Sequence, residues 1–313
     1  MKIAVTGATG FIGRALCSHL VAKNDYTVVP AVSHVSGLPH EIVVGNNNAA
    51  MDWRGVLAHC DAVVHLGARV HRMDGTPRNP LALYRASNTD TTLNLARQAA
   101  ESGVKRFVFI STAKVNGEGR ESPYTEIDPP APEDAYAISK WEAEQGLHQI
   151  ARETGLEVTI LRPPLVYGPG VRANFLNMMR WLYRGAPLPF GAIHNRRSLI
   201  ALDNLVDFIV TCLGHPAASN ATFLVADGED ISTTDLLCRM GAALNVPVRL
   251  LPVPQNFLEA GFKLVGKSEL SRRLCGSLRL DITKAKTVLD WHSPLTVNDG
   301  LQRVAAHFLQ ARN

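Results

Sequence analysis

The chain has 313 residues, of which 46% are hydrophobic and 19% charged, with a formal net charge of +4. That is enough apolar material for a sizeable core, and the length suggests about two domains. So mild a basic balance, with no basic run or repeated basic–aromatic pattern, gives no footing to a nucleic-acid partner and suits a small anionic one.

The start, MKIAVTGATG, has no basic leader and no long apolar run, so no secretory signal is expected. No later stretch approaches the roughly 20 apolar residues of a membrane span, which excludes membrane insertion and points to a soluble, cytoplasmic protein. Lys2–Thr6 reads as a strand, Phe11–Ala22 as a helix and Thr27–Val32 as a second strand. Ala62–Leu66 is a short apolar run, Asn88–Ser102 is helical, and Arg106–Ser111 is another buried strand. A long helix is expected over Asp134–Thr154 and a strand over Glu157–Arg162. Strands alternating with helices predict an α/β fold, a Rossmann-type doubly wound parallel sheet. From Pro163 to Pro189 prolines break the pattern; then follow a strand, Ser198–Leu202, and a helix, Asp203–Leu213. The expected division is a dinucleotide domain over 1–165 plus about 197–213. A smaller mixed α/β substrate-binding cap takes 166–196 and 214–313. Five scattered cysteines, never spaced as CxxC, argue against a disulfide framework or a zinc site and fit a reducing compartment; no metal is expected.

Three motifs carry chemistry. The first is Gly7-Ala8-Thr9-Gly10-Phe11-Ile12-Gly13, between the first strand and the first helix. Gly7 permits a tight turn, Gly10 lets backbone approach a pyrophosphate, and Gly13 lets the helix pack close to the sheet. The helix N-terminus adds free N–H groups and a partial positive charge. Gly7, Thr9, Gly10, Phe11 and Ile12 are therefore expected to hold a dinucleotide. The second strand carries no terminal acid to grip the adenosine ribose. Only Ser33 and His34 stand there, so the choice between NAD and NADP stays open. The second motif is Tyr136-x-x-x-Lys140, which puts a phenol and an ammonium one turn apart on a helix face. A nearby cation is expected to lower the phenol from its ordinary value near 10, so that it exchanges a proton with a sugar oxygen. The third is the strand end Ser111-Thr112, where Thr112 orients the reacting oxygen.

These motifs occur in the order of the extended short-chain dehydrogenase/reductase family, which the chain resembles along nearly its whole length. His65-Leu66-Gly67-Ala68 is similar to the family segment that passes the cofactor, and Asn88 to an asparagine that orders that region. Arg162-Pro163-Pro164-Leu165-Val166-Tyr167-Gly168-Pro169-Gly170 resembles the segment beside the nicotinamide, and Asp281 to Trp291 a late family segment. The resemblance implies a UDP-sugar enzyme of the 4-epimerase-like branch, with Leu66, Gly67, Ala68, Asn88, Ser111, Tyr136, Lys140 and Pro163 around the cofactor and Asn46 near its adenine. The stretches 114–118, 172–176 and 195–199 are similar to those of enzymes that reduce UDP-4-keto-6-deoxy-N-acetylglucosamine for bacterial surface polysaccharides. The resemblance thus implies that Arg197 clamps the diphosphate, that Lys114, Asn174 and Arg279 touch substrate, and that Ser277 or Leu278 bounds the sugar pocket. Reduction at C4 is the first expectation and 4-epimerisation the alternative. A dehydratase ranks below both, because Ala113-Lys114 stands where those enzymes carry acids. A non-catalytic sensor would have no use for an intact Tyr136 and Lys140. Relatives often pair as homodimers, here through Leu93–Ala100 and Trp141–Ile150.

Overall fold

The structure, a computed structural model, describes residues 1–45, 49–70, 79–264, 266 and 268–312, without the side chains of 268 and 269. Its centre is a seven-stranded, all-parallel sheet. The strands are β1 (Lys2–Thr6), β2 (Thr27–Val32), β3 (Ile42–Val43), β4 (Ala62–His65), β5 (Arg106–Ile110), β6 (Glu157–Arg162) and, further along the chain, β9 (Ala221–Leu224), in the spatial order β3-β2-β1-β4-β5-β6-β9. The inner strands are continuous Val, Ile, Ala and Phe because helices cover both faces. On one face lie α1 (Phe11–Ala22) and α7 (Leu202–Gly214). On the other lie α2 (Arg54–Leu57), α4 (Thr91–Glu101) and α5 (Ala135–Thr154). α3 (Pro80–Tyr84) runs through a π-helical turn, Arg85–Asp90, into α4. The sequence reading missed that turn and saw one regular helix from Asn88. Such a turn inserts a residue into the helix, and here it buries the polar side chains of Asn88 and Thr89.

The second layer is built on a three-stranded sheet, β10-β8-β7, from β7 (Leu165–Tyr167), β8 (Arg197–Ala201) and β10 (Asp230–Ile231). Around it pack α6 (Ala173–Tyr183), α8 (Thr233–Ala243) and α12 (Val297–Gln310), which share a core with Tyr167, Phe175, Met179 and Leu237. α9 (Gln255–Leu264) and α10 (Ser268–Cys275) form a hairpin beside it.

The expected domain boundaries need correction at two places. β8 pairs with β7 and β10 and is no part of the large sheet. Conversely β9 pairs with β6 in the large sheet, and Phe223, Val225, Leu289 and Trp291 lie in its core, together with Ala285 of α11 (Thr283–Leu289). The residues assigned to the cap thus return to complete the first layer, because β6 offers an open edge that an apolar strand can pair. Cys17, Cys60, Cys212 and Cys275 are buried thiols and Cys238 is exposed, all unpaired. No helix among the described residues is long and apolar enough to cross a membrane.

Candidate active site

The glycine loop has the conformation its residues require. Gly7 sits at φ +67°, and a Cβ there would lie 2.8 Å from the Gly67 nitrogen. A Cβ on Gly13 would lie 2.2 Å from the Gly7 carbonyl oxygen. The loop is therefore pressed against Gly67 on one side and against its own helix on the other. Gly10 precedes the first turn of α1, and no side chain caps the helix N–H groups. Thr9, Gly10 and Phe11 form one end of an open groove of about 800 Å³ whose remaining lining comes from the flank of α1 and from residues such as Leu202, Asp203 and Arg303, not from Gly7 or Gly67. These features fit a pyrophosphate, whose oxygens the uncapped amides would receive.

Asn88, fully buried, ties the neighbouring loop in place. Its Oδ1 accepts from the Arg69 amide at 2.8 Å, and its Nδ2 donates to the Arg69 carbonyl at 3.1 Å and to Ser139 Oγ at 3.0 Å. Ser139 in turn donates to the Tyr136 carbonyl at 2.8 Å. One side chain thus links the segment Leu66, Gly67, Ala68 to the helix that carries Tyr136 and Lys140. Ser33 and His34 are exposed at the end of β2. Asn46 lies outside the described residues. The Pro163 carbonyl accepts from the Ala113 amide at 2.9 Å, which fixes the loop after β6 against the loop after β5.

α5 starts at Asp134, whose Oδ1 accepts from the Ala137 amide at 2.7 Å. Tyr136, Lys140 and Glu144 follow at intervals of four. Lys140 is 1% exposed, and burial pulls its ammonium down from 10.5 to about 7, partly offset by the charge of Glu144. The lowering expected for Tyr136 is not what the fold does. Burial pushes the phenol up, and the Asp134 charge and Tyr84 add to the rise. Within the protein alone Tyr136 is a proton-bearing phenol, ready to donate.

Ser111 and Thr112, adjacent in sequence, have separate partners. The Ser111 hydroxyl donates to Glu144, which also holds Arg162 at 2.5 Å; Arg162 reaches Asn116 Oδ1 at 3.0 Å. Glu144 and Arg162 are both buried, so the pair joins α5, β5, β6 and the turn at Asn116. Thr112 instead lines a second cavity, of about 360 Å³, together with Tyr136, Lys114, Asn174 and Arg197. Five residues expected at the site, drawn from four separate stretches of chain, thus meet around one space between the two layers.

Two of the substrate expectations change. Arg279 is not among the lining residues: its guanidinium pairs with Asp230 at 2.7 Å and donates to the Glu121 carbonyl, a structural post between the layers. Ser277 does not line the cavity either, because its hydroxyl accepts from the Arg196 amide, whereas Leu278 does line it. Lys114 is flanked by Asp134 at 2.9 Å and Glu118 at 3.3 Å. Arg197 donates to the Gly276 carbonyl at 2.8 Å, and no carboxylate among the described residues is ion-paired with it; burial lowers it, partly offset by the charge of Glu118, and the charge of Arg273 lowers it further. The sequence reading missed Arg273, Glu118 and Asp134, which line the same cavity. Asp134 was legible as the helix cap before Tyr136. Arg273, remote in sequence, lies in α10, just before the segment around Leu278 that runs hydrogen-bonded beside 196–198.

A parallel sheet of this order, with a glycine loop after β1 and Tyr-x-x-x-Lys opening α5, defines the short-chain dehydrogenase/reductase class. The chain belongs to the NAD dependent epimerase/dehydratase family, whose family model matches residues 3–226. It is 48% identical to a UDP-glucose 4-epimerase of Vibrio cholerae, over 100% of this chain and 97% of that protein. It is 28% identical to the N-acetyl-alpha-D-glucosaminyl-diphospho-ditrans,octacis-undecaprenol 4-epimerase of Escherichia coli O157:H7, over 99% and 96%. The fold matches the crystal structure of UDP-glucuronic acid 4-epimerase from Bacillus cereus in complex with NAD, with a TM-score of 0.81 at 22% identity and full coverage of both chains.

Proposed function

We propose that the chain transfers a hydride at C4 of a UDP-linked hexose. The observation that carries this is the single cavity in which Tyr136 and Thr112 stand with Arg197 and Arg273. A proton donor at one region and two guanidinium groups at another suit a sugar tethered to a diphosphate. The dinucleotide supplies the hydride donor or acceptor when bound. Gly7, Thr9, Gly10, Phe11 and Ile12 would hold its pyrophosphate, and Lys140 its nicotinamide ribose. Thr112 orients the sugar oxygen, and Tyr136 gives that oxygen a proton or takes one back. Arg197 and Arg273 fix the diphosphate, Leu278 bounds the sugar, and Lys114, between its two carboxylates, faces the substrate with Asn174.

The full-length likeness to a 4-epimerase supports 4-epimerisation as the net reaction. The β2 terminus supports a second reading, reduction of a 4-keto sugar such as UDP-4-keto-6-deoxy-N-acetylglucosamine for surface-polysaccharide synthesis. With Ser33 in place of an acid, the ribose grip that retains NAD through an epimerase cycle is weaker. Incubating the purified protein with UDP-glucose, UDP-N-acetylglucosamine and a 4-keto UDP-sugar, each with and without NADH, separates the two. Interconversion of C4 epimers without added cofactor identifies an epimerase; stoichiometric loss of NADH with the keto sugar identifies a reductase. No reaction with any of them overturns the proposal. The same reading carries a cytoplasmic homodimer formed through the outer faces of α4 and α5, which sedimentation tests.

A further inference from the structure

Lys140 is 1% exposed, and no hydrogen-bond acceptor among the described residues reaches its ammonium. What it meets is a ring: Nζ lies 3.9 Å from the centroid of Phe109, a fully buried residue of β5. A carboxylate in that place would hold the charge more strongly, but it would also take up the ammonium's hydrogens. A ring face attracts a cation through its quadrupole and accepts no strong directed hydrogen bond. No protein acceptor therefore takes up the N–H groups that point away from the ring, and these stay available for ribose hydroxyls.

The ring is itself held. Alternation along β5 puts Phe107 and Phe109 on one face, and the parallel register sets Phe109 beside His65 of β4. The two rings stack, with centroids 5.8 Å apart and planes 15° apart. His65 is kept neutral, pulled down to about 3 by burial and by the Lys140 charge. The Thr92 hydroxyl donates to the Asn88 carbonyl, so it accepts from His65 Nε2–H at 2.9 Å, and the Thr6 hydroxyl donates to Nδ1 at 2.6 Å. His65 thus braces Phe109 without adding charge. The other titratable groups around Lys140 are on its own helix. Glu144, one turn on, favours the charged lysine but is itself hydrogen-bonded to Arg162 of β6 and to Ser111, the residue after β5; Tyr136, one turn back, is a neutral phenol.

We propose that Phe109 is a positioning residue for the reaction, its ring holding the Lys140 ammonium charged and aimed while leaving its hydrogens to the cofactor. This rests on the functional reading above. Because burial already brings Lys140 to about 7, a small loss of stabilisation at the ring decides whether the lysine is charged at neutral pH.

The test replaces Phe109 with phenylalanines bearing one, two and three ring fluorines, which keep the shape while weakening the ring face. NADH affinity is then followed from pH 6 to 10 by its fluorescence, with no sugar present. The pH at which affinity falls should move downward stepwise with each fluorine, by about one unit in all for the trifluoro ring, with affinity at pH 6 reduced by no more than about two-fold. Phe109→Leu should show the same displacement. A midpoint that stays put across the fluorinated series makes the ring mere packing and overturns the inference, leaving the functional reading intact. A native chain that binds no NADH at any pH overturns both.

Discussion

At the scale of single residues, Tyr136, Lys140 and Arg197 make separable predictions. Tyr136→Phe keeps the ring and removes the proton, so turnover should fall at least about 100-fold while dinucleotide binding stays the same. Steady-state rates beside an NADH titration check this. Arg197→Met removes a half-buried cation whose hydrogen bonds among the described residues go only to carbonyls, and the KM for the UDP-sugar should rise about 10- to 100-fold. Lys140 makes a prediction about stability. Its folded value of about 7 lies below the 10.5 of an ordinary lysine, so between those values the unfolded chain binds more protons and stability rises with pH. Lys140→Met removes that slope. The variant should be the more stable form at pH 6, and its advantage should fade by pH 10, as urea unfolding at the two pH values will report. Tyr136, Lys140, Thr112 and Arg197 were all legible from sequence because spacing, strand ends and family segments mark them. The rise of the Tyr136 value was not legible, since it comes from burial and from Asp134 rather than from the lysine four residues away.

At the scale of elements, the junctions decide the geometry. Gly7→Ala places a side chain at positive φ and against Gly67, and should cost about 1–3 kcal/mol with loss of dinucleotide affinity. The Glu144–Arg162 pair joins α5 to β6 almost wholly shielded from water. Removing either partner alone strands a buried charge, at a cost of about 3–5 kcal/mol. Glu144→Leu combined with Arg162→Met should be less damaging than either single change, and a double-mutant cycle by denaturant unfolding measures the difference. The sequence announced β1, α1, β5, α5 and β6 through long apolar runs and helix signals. It did not announce the π-helical turn before α4, since a single inserted residue leaves the 3.6-residue pattern almost untouched. β8 was read as a strand correctly, yet its sheet was misassigned, because strand pairing is a property of edges and not of the strand's own residues.

At the scale of the whole molecule, the two layers are not beads on a string. The chain leaves the large sheet after β6, enters the second layer, returns with α7 and β9, departs again for α8, α9 and α10, and comes back to lay α11 and Trp291 on the first core. A chain ended at residue 214 would lack β9 and the aromatic packing of Trp291 on Phe208, whose ring centroids lie 4.8 Å apart. It should give no cooperative urea transition by circular dichroism, whereas the full chain should unfold in one. Two families of motif were therefore readable as pieces, but their interleaving was not, since each return depends on an open edge created far away in sequence.

The unequal shielding of the thiols has a practical consequence. Cys238, on α8, is exposed while the other four sulfurs are enclosed. A maleimide dye should attach to the native protein at one defined spot, without any prior mutagenesis. That spot lies on the substrate-side layer, so a fluorophore there can follow reactant capture by anisotropy or by energy transfer from reduced nicotinamide.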